Sequence, residues 1–224
     1  FAFLIALVLA PAAWAGLNIQ HWTTPQGARV YFVENHDLPM LDVSVDFPAG
    51  SSRDDPATSG LAGMTVALMR LGTQSLDEAK IAAELADVGA QMGSRFDTDR
   101  SGYGLRTLSS AKERERALAV LADVLQAPTF PADVLEREKN RLAAALKEAD
   151  SKPETIAQRA FSAAVYGSHP YGLRGSGERA TLERLTVADL EQFYRQWFRS
   201  DWAVVALMGD ISREEADAVA RRLT

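Results

Sequence analysis

Between residues 41 and 47 the chain alternates without exception: Leu41, Val43, Val45 and Phe47 are apolar, and Asp42, Ser44 and Asp46 stand between them. Side chains of a strand point alternately to its two faces, so this pattern specifies a strand with one face buried and one wet. A sheet built from such strands needs a helical layer on one side only. Leu17 to Trp22 and Ala28 to Glu34 also read as strands, separated by turn chemistry at Thr24-Pro25-Gln26-Gly27 and followed by a turn at Asn35-His36-Asp37-Leu38-Pro39. Ala90 to Phe96 and Gly102 to Leu108 form a further hairpin pattern across the polar bridge Asp97 to Ser101, and Trp202 to Met208 is a last buried strand closed by Gly209-Asp210.

The helical layer is written between them. After a Gly/Ser/Asp/Pro loop from Pro48 to Ser59, Gly60 to Leu71 reads as an apolar helix with Gly72 in the C-cap position. Ser75 precedes a helix from Leu76 to Val88, with Glu78 placed as its capping-box partner. Ala111 to Leu125, Ala132 to Asp150 and Glu154 to Tyr166 follow, punctuated by Pro128, Pro131 and Pro153. A glycine-rich loop, Gly167 to Gly177, carries His169-Pro170-Tyr171-Gly172; Thr186 caps Val187 to Phe198, and Ser212 opens a helix running to Thr224. The expectation is one continuous α+β domain over residues 16–224, with a largely antiparallel sheet and helices packed on one side.

Residues 1–15 read as targeting sequence. Phe1 to Ala12 is an uncharged apolar run, and Ala13-Trp14-Ala15 places small residues where a signal peptidase reads them. The run is short for a membrane span. Cleavage before Gly16 would give an exported chain with no stable membrane span, in the periplasm of a Gram-negative bacterium. A start inside this signal and an end inside an amphipathic helix are what a piece of a longer polypeptide would show.

Composition removes several kinds of chemistry. A net charge of -6 argues against nucleic acid as a partner. No cysteine is present, so disulfides, thiolate metal sites and thiol nucleophiles are excluded. His21, His36 and His169 are the only histidines, and none has a second ligand at metal spacing. Asp54-Asp55 reads as a turn with a solvated face, and the mixed-charge stretches Lys112 to Arg116 and Glu136 to Arg141 as solvated helix faces.

Taken in order, Trp22 to Val30, Ala49-Gly50-Ser51-Ser52-Arg53-Asp54, Ser59-Gly60-Leu61-Ala62, His169-Pro170-Tyr171-Gly172 and the strand before Gly209-Asp210 resemble the amino-terminal half of the insulinase/pitrilysin metallopeptidases, the M16 family. The resemblance implies that family's α+β metallohydrolase fold. It also implies an inverted H-x-x-E-H helix directly after the Gly-Leu-Ala, with two histidines for zinc and a glutamate for the attacking water. Here Gly63 and Ala67 stand at the histidine positions and Val66 at the glutamate. The third ligand, a glutamate on a later helix, falls at Ala144 or Ala145, with Glu148 one turn away. The chain is therefore expected to carry no catalytic residue and no metal.

Family members hold substrate as an added strand along the segment that here spans Ala90 to Phe96. Gly93, Ser94, Arg95 and Phe96 occupy that stretch and depart from an implied Asn-Ala-x-Thr pattern, with Arg95 readable as an edge-protecting charge. Three functions follow from the resemblance. The first is a non-catalytic subunit pairing with a zinc-bearing H-x-x-E-H homologue, zinc being expected only in that partner, to act on peptide or unfolded protein. The second is a non-proteolytic scaffold or peptide-binding protein. The third is an active zinc peptidase whose site lies outside this fragment.

Overall fold

The computed structural model describes residues 17–224, so the targeting segment read at residues 1–15 lies outside the described residues. Strands β1 (Gln20–Thr23), β2 (Arg29–Glu34), β3 (Met40–Phe47), β4 (Gln91–Phe96), β5 (Ser101–Leu108) and β6 (Val204–Gly209) form one sheet. Their order is β1-β2-β6-β3-β5-β4. Only β2 and β6 pair in parallel; every other neighbouring pair is antiparallel. The fold is α+β, as the sequence pattern requires.

Register converts the local alternation into a continuous core. Phe32 pairs with Leu207, Leu207 with Val43, Val43 with Leu105, and Leu105 with Met92, forming one apolar row across five strands. Val30, Val205, Val45 and Tyr103 make a second row beside it. In β3, Leu41, Val43, Val45 and Phe47 are buried, while Asp42, Ser44 and Asp46 keep partial exposure. On the opposite face Arg106 forks onto Asp42 at 2.7 and 2.9 Å, and Tyr31 and Met208 stand exposed.

The covering layer consists of α1 (Leu61–Met69), α2 (Glu78–Asp87), α3 (Ala111–Gln126), α4 (Ala132–Ala149), α5 (Pro153–Tyr166), α6 (Arg179–Leu182), α7 (Val187–Trp197) and α8 (Arg213–Leu223). Helices α1, α3, α7 and α8 supply Leu68, Leu118, Leu121, Leu190, Val219 and Leu223 to the core. Thr186 and Ser212 cap α7 and α8 through reciprocal boxes with Asp189 and Glu215. Among the described residues, no helix is long and apolar enough to cross a membrane.

Local expectations differ from the structure in three places. The helix after Gly60 ends at Met69 with Arg70 as its C-cap, and Gly72 instead bridges to Asp77. Thr73 accepts the Leu76 N–H on its hydroxyl, closing a tight turn that delays the next helix. Asp77 rather than Ser75 therefore caps α2, accepting the Lys80 N–H at 2.8 Å, and Ser75 donates to Asp123. The short α6, capped by Glu178, lies in a stretch where periodicity gave no helix.

Removing a side chain from the buried row should cost far more than removing its neighbour on the wet face. Leu207→Ala is expected to lower stability by about 2–5 kcal/mol, and Met208→Ala by less than about 1 kcal/mol. Urea denaturation of the two variants measures both.

Candidate functional site

Of the residues singled out by the resemblance, Gly63, Ala67 and Phe96 come together at one end of the sheet, where α1, α4 and the last residue of β4 meet. Asp54 fixes the start of α1. Its carboxylate is buried and accepts the Gly60 N–H at 2.8 Å on one oxygen and the Ala62 N–H at 3.0 Å on the other. These are amide groups that a helix cannot satisfy internally. Burial pushes the Asp54 carboxyl up to about 6, against the lowering effect of the two hydrogen bonds. The reading of Asp54-Asp55 as a solvated pair thus holds for Asp55 alone, which accepts from the Ala57 and Thr58 amides in a turn. Asp54 sits inside because the loop folds back over the helix end.

The glycine-rich loop locks the same helix end from outside. Gly60 has φ +96° and a Cβ there would lie 2.8 Å from the Gly177 Cα. Ser59 donates to the Arg174 carbonyl at 2.8 Å, and Thr181 donates to the Ser59 carbonyl at 2.6 Å. Only residues without side chains allow the loop and the helix start to approach this closely.

Gly63 and Ala67, one turn apart on α1, face a cavity of about 190 Å³. Opposite them on α4 stand Glu138, Arg141 and Leu142, and Phe96 closes the end of the cavity. A Cβ at Gly63 would lie 3.3 Å from two Phe96 ring atoms and 3.3 Å from the Gly175 carbonyl oxygen. Val66 is buried in the core and does not line the cavity; its carbonyl accepts the hydroxyl of Tyr103, whose burial raises that phenol far above its ordinary range. Ala144 and Ala145 are exposed on α4 and do not line the cavity either. Gly63, Val66, Ala67, Ala144 and Ala145 offer no side-chain nitrogen, oxygen or sulfur, so the residues present do not fit a zinc ion.

Glu138 is the acidic group nearest the cavity that sequence reading did not single out. It is buried, and it accepts from Arg141 at 2.6 Å and Arg137 at 3.3 Å. The mixed-charge stretch Glu136 to Arg141 is thus only partly a solvated face: Glu138 and Lys139 are buried within it. The alternation of signs concealed them, because an internally paired carboxylate leaves no separate mark in a sequence.

The strand β4 pairs with β5 alone, leaving its other edge free. Gly93, Ser94, Arg95 and Phe96 are all exposed. Arg95 turns away from that edge and lies over the wet face of the sheet, donating to Ser44 with Asp46 at 3.5 Å. Its guanidinium follows the two carboxylate-bearing and hydroxyl-bearing side chains that β3 presents there.

The histidines are scattered. His21 stacks on Tyr31 with ring centroids 6.5 Å apart. His36 contacts Asp210 at 2.6 Å and Glu34 at 3.1 Å, which raises its pKa, chiefly through Asp210. His169 accepts the Tyr171 N–H, and Tyr171 donates to Asp99 at 2.7 Å, tying the His-Pro-Tyr-Gly turn to the tip of the β4–β5 hairpin.

A sheet covered by helices on one side, a helix start clamped by Asp54 and two small residues one turn apart facing a cavity describe this end of the fold. A family model for insulinase, peptidase family M16, matches residues 29–177, and one for the peptidase M16 inactive domain matches residues 184–224. The chain belongs to the M16 peptidase family. It is 28% identical over 219 residues to a non-peptidase homolog, YmxG, of Helicobacter pylori, covering 95% of this chain and 49% of that protein. An uncharacterized zinc protease, YmxG, of Bacillus subtilis is 25% identical over 194 residues, covering 87% of this chain and 47% of the relative. Among solved structures, a peptidase M16 inactive domain from Pseudomonas fluorescens matches with a TM-score of 0.90 at 37% identity, over 92% of this chain and 50% of that one. The periplasmic protease PqqL of Escherichia coli shares the fold, with a TM-score of 0.81 at 17% identity, over 91% of this chain and 23% of that one. The chain spans about half the length of the curated relatives it matches.

Asp54 yields a prediction with a definite sign. Its folded-state pKa of about 6 lies above the ordinary 3.8, so the folded form holds this proton more tightly than the unfolded chain. The associated stability is present in full below pH 3.8 and is lost as the pH rises through 6. Asp54→Asn removes the titration, so the stability of the natural chain relative to this variant is expected to fall between pH 4 and pH 7. Asp54→Ala, which leaves both amides without an acceptor, should cost about 2 kcal/mol in acid, and the cost should shrink as the pH rises through 6 because the variant lacks the same titrating group. Thermal melts across that range read both effects.

Proposed function

We propose that this chain is the amino-terminal part of a non-catalytic M16 subunit that pairs with a zinc-bearing homologue in the periplasm. The observation that carries the reading is the state of α1. The fold around the helix is intact down to the Asp54 clamp, yet Gly63, Val66 and Ala67 cannot bind a metal or move a proton. The strand β4 beside that helix keeps one edge unpaired. An edge strand can hold an extended peptide through its backbone alone, whatever the peptide's sequence.

In this reading the chain's own residues bind and orient. The free edge of β4 takes the peptide as an added strand. The homologue supplies the zinc chemistry. The contribution of this chain is positional: a peptide held between two halves loses less freedom on reaching the reactive geometry. The apolar run ending in Ala13-Trp14-Ala15 supports export, and the similarity to a periplasmic protease supports the same compartment.

Metal and repair can be tested together. The natural chain is expected to hold no stoichiometric zinc by elemental analysis. The triple variant Gly63→His, Val66→Glu, Ala67→His is expected to gain neither tight zinc nor zinc-dependent cleavage of casein. Phe96 and the Gly175 carbonyl crowd position 63, and a carboxylate at position 66 would be buried without a partner. One chelation-resistant zinc per natural chain, or cleavage by the variant, would overturn the expectation.

Pairing has its own test. Co-expression of the full-length protein with the H-x-x-E-H homologue from the same genome should give one peak on size-exclusion chromatography and at least tenfold faster peptide cleavage than the homologue alone. Two separate peaks and an unaltered rate would favour the scaffold reading.

A further inference from the structure

We propose that the cleft between the start of β2, the end of β3 and the end of α7 binds a peptide carboxylate that has an apolar group beside it. Strands β6, β3 and β5 separate β2 from β4, and nothing in the assignment depends on the β4 edge. Four observations carry it.

The first is shape. Arg29, Pro48, Arg53, Trp197, Asp201 and Trp202 line a cavity of about 500 Å³, inside the range of roughly 300–1,000 Å³ that ligand pockets occupy. Two of the four tryptophans of the chain stand in it, with ring centroids 5.6 Å apart. Their indole faces offer a wall to hydrocarbon or to an aromatic ring.

The second is charge. Arg199 forks onto Asp201 at 3.0 and 2.9 Å, so that carboxylate is already matched. Among the described residues, Arg29 and Arg53 have no ion-pair partner. The cleft thus holds two unmatched guanidiniums in a chain whose net charge is -6. Such a pair attracts an anion and repels a cation.

The third is preorganisation. The Arg53 guanidinium lies over the Trp197 ring, 4.3 Å from its centroid, and its Nε donates to the Pro48 carbonyl at 2.9 Å. The turn that carries it, Ser51–Arg53, is pinned by the Ser51 and Ser52 amides, which donate to the Asp97 and Thr98 carbonyls at 3.2 and 2.8 Å. The two Nη groups remain for the forked bond that a carboxylate matches. A guanidinium already held in place loses little further freedom on binding.

The fourth is placement. Arg29 opens β2 and pairs with Val204, the first residue of β6, and Trp202 stands two residues before Val204. The parallel pairing of two strands distant in sequence therefore brings a guanidinium and an indole to one rim of the sheet. A carboxylate on the arginines leaves its apolar neighbour against the indoles.

Peptides separate the two requirements. Acetyl-Ser-Thr-Phe-Glu-Thr-amide is titrated into the full-length protein by isothermal titration calorimetry, beside versions with Gln for Glu and with Thr for Phe. Loss of either group should weaken binding at least about tenfold. A fourth peptide, acetyl-Ser-Thr-Ser-Phe with a free chain end, distinguishes a terminal carboxylate from a side-chain one by which binds tighter. The β4 edge reads backbone alone and would hold the Glu and Gln peptides equally, so their ratio reports this cleft. Arg29→Gln and Arg53→Lys should each bring that ratio to within about threefold. Arg29 is exposed, so its variant is expected to fold even where Arg53→Lys loosens its turn. Fluorine NMR of the 5-fluorotryptophan protein should show the Trp197 and Trp202 signals, assigned by Trp197→Phe and Trp202→Phe, moving with the Glu peptide. Equal affinity for the Glu and Gln peptides, a ratio that survives both arginine variants, or unmoved signals overturns the proposal. Absence of binding by every peptide, with or without capture of the protein by phosphatidylglycerol vesicles, overturns it as well.

Discussion

The buried Asp54 carboxylate accepts the amides of Gly60 and Ala62, and this double bond to a helix start decides what the rest of the region can do. It sets where α1 begins, and therefore which of its positions meet α4 and which enter the core. With the start fixed, Gly63 and Ala67 face the recess and Val66 goes inward. The close approach of Gly60 to Gly177 adds a second restraint from the opposite side. A helix held at one end by a carboxylate and by backbone contact cannot rotate to bring other groups forward. The chemistry of the face is consequently the chemistry of the side chains that the sequence puts there.

The parts of the fold that depend on neighbours in sequence were readable in advance. Alternation at residues 41–47 specified both the strand and its wet face, and the caps at Thr186 and Ser212 marked two helix starts correctly. Family motifs spread along the chain located α1 and β4. What escaped reading depends on partners distant in sequence. Asp54 looks like half of an exposed acidic pair until the loop around it is closed. Glu138 looks like one charge among several until α4 is set against α1. Nothing local in Arg95 shows that it crosses the sheet to Ser44 and Asp46. Ser75 lost its predicted role for a nearer reason, since the Thr73–Leu76 turn shifted the start of α2 by two residues.

Replacement of polar groups by small ones has a different physical cost from replacement by large ones. Gly63 and Ala67 remove polar groups and also volume, so the neighbouring helices have no packing lost to a clash. Phe96 closes only one end of the resulting space and stays partly exposed.

The place of β6 in the sheet has a consequence for how the chain is made. It pairs with β2 on one side and β3 on the other, although those two strands are close together in sequence and β6 is near the far end of the described chain. On a ribosome, β2 and β3 emerge early and must wait for almost the whole domain to be translated before the strand that joins them appears. Until then each shows an unpaired edge and an uncovered apolar face, the condition that invites pairing with another nascent chain. The pairing that closes the sheet spans a long stretch of chain, so closure is intrinsically slow.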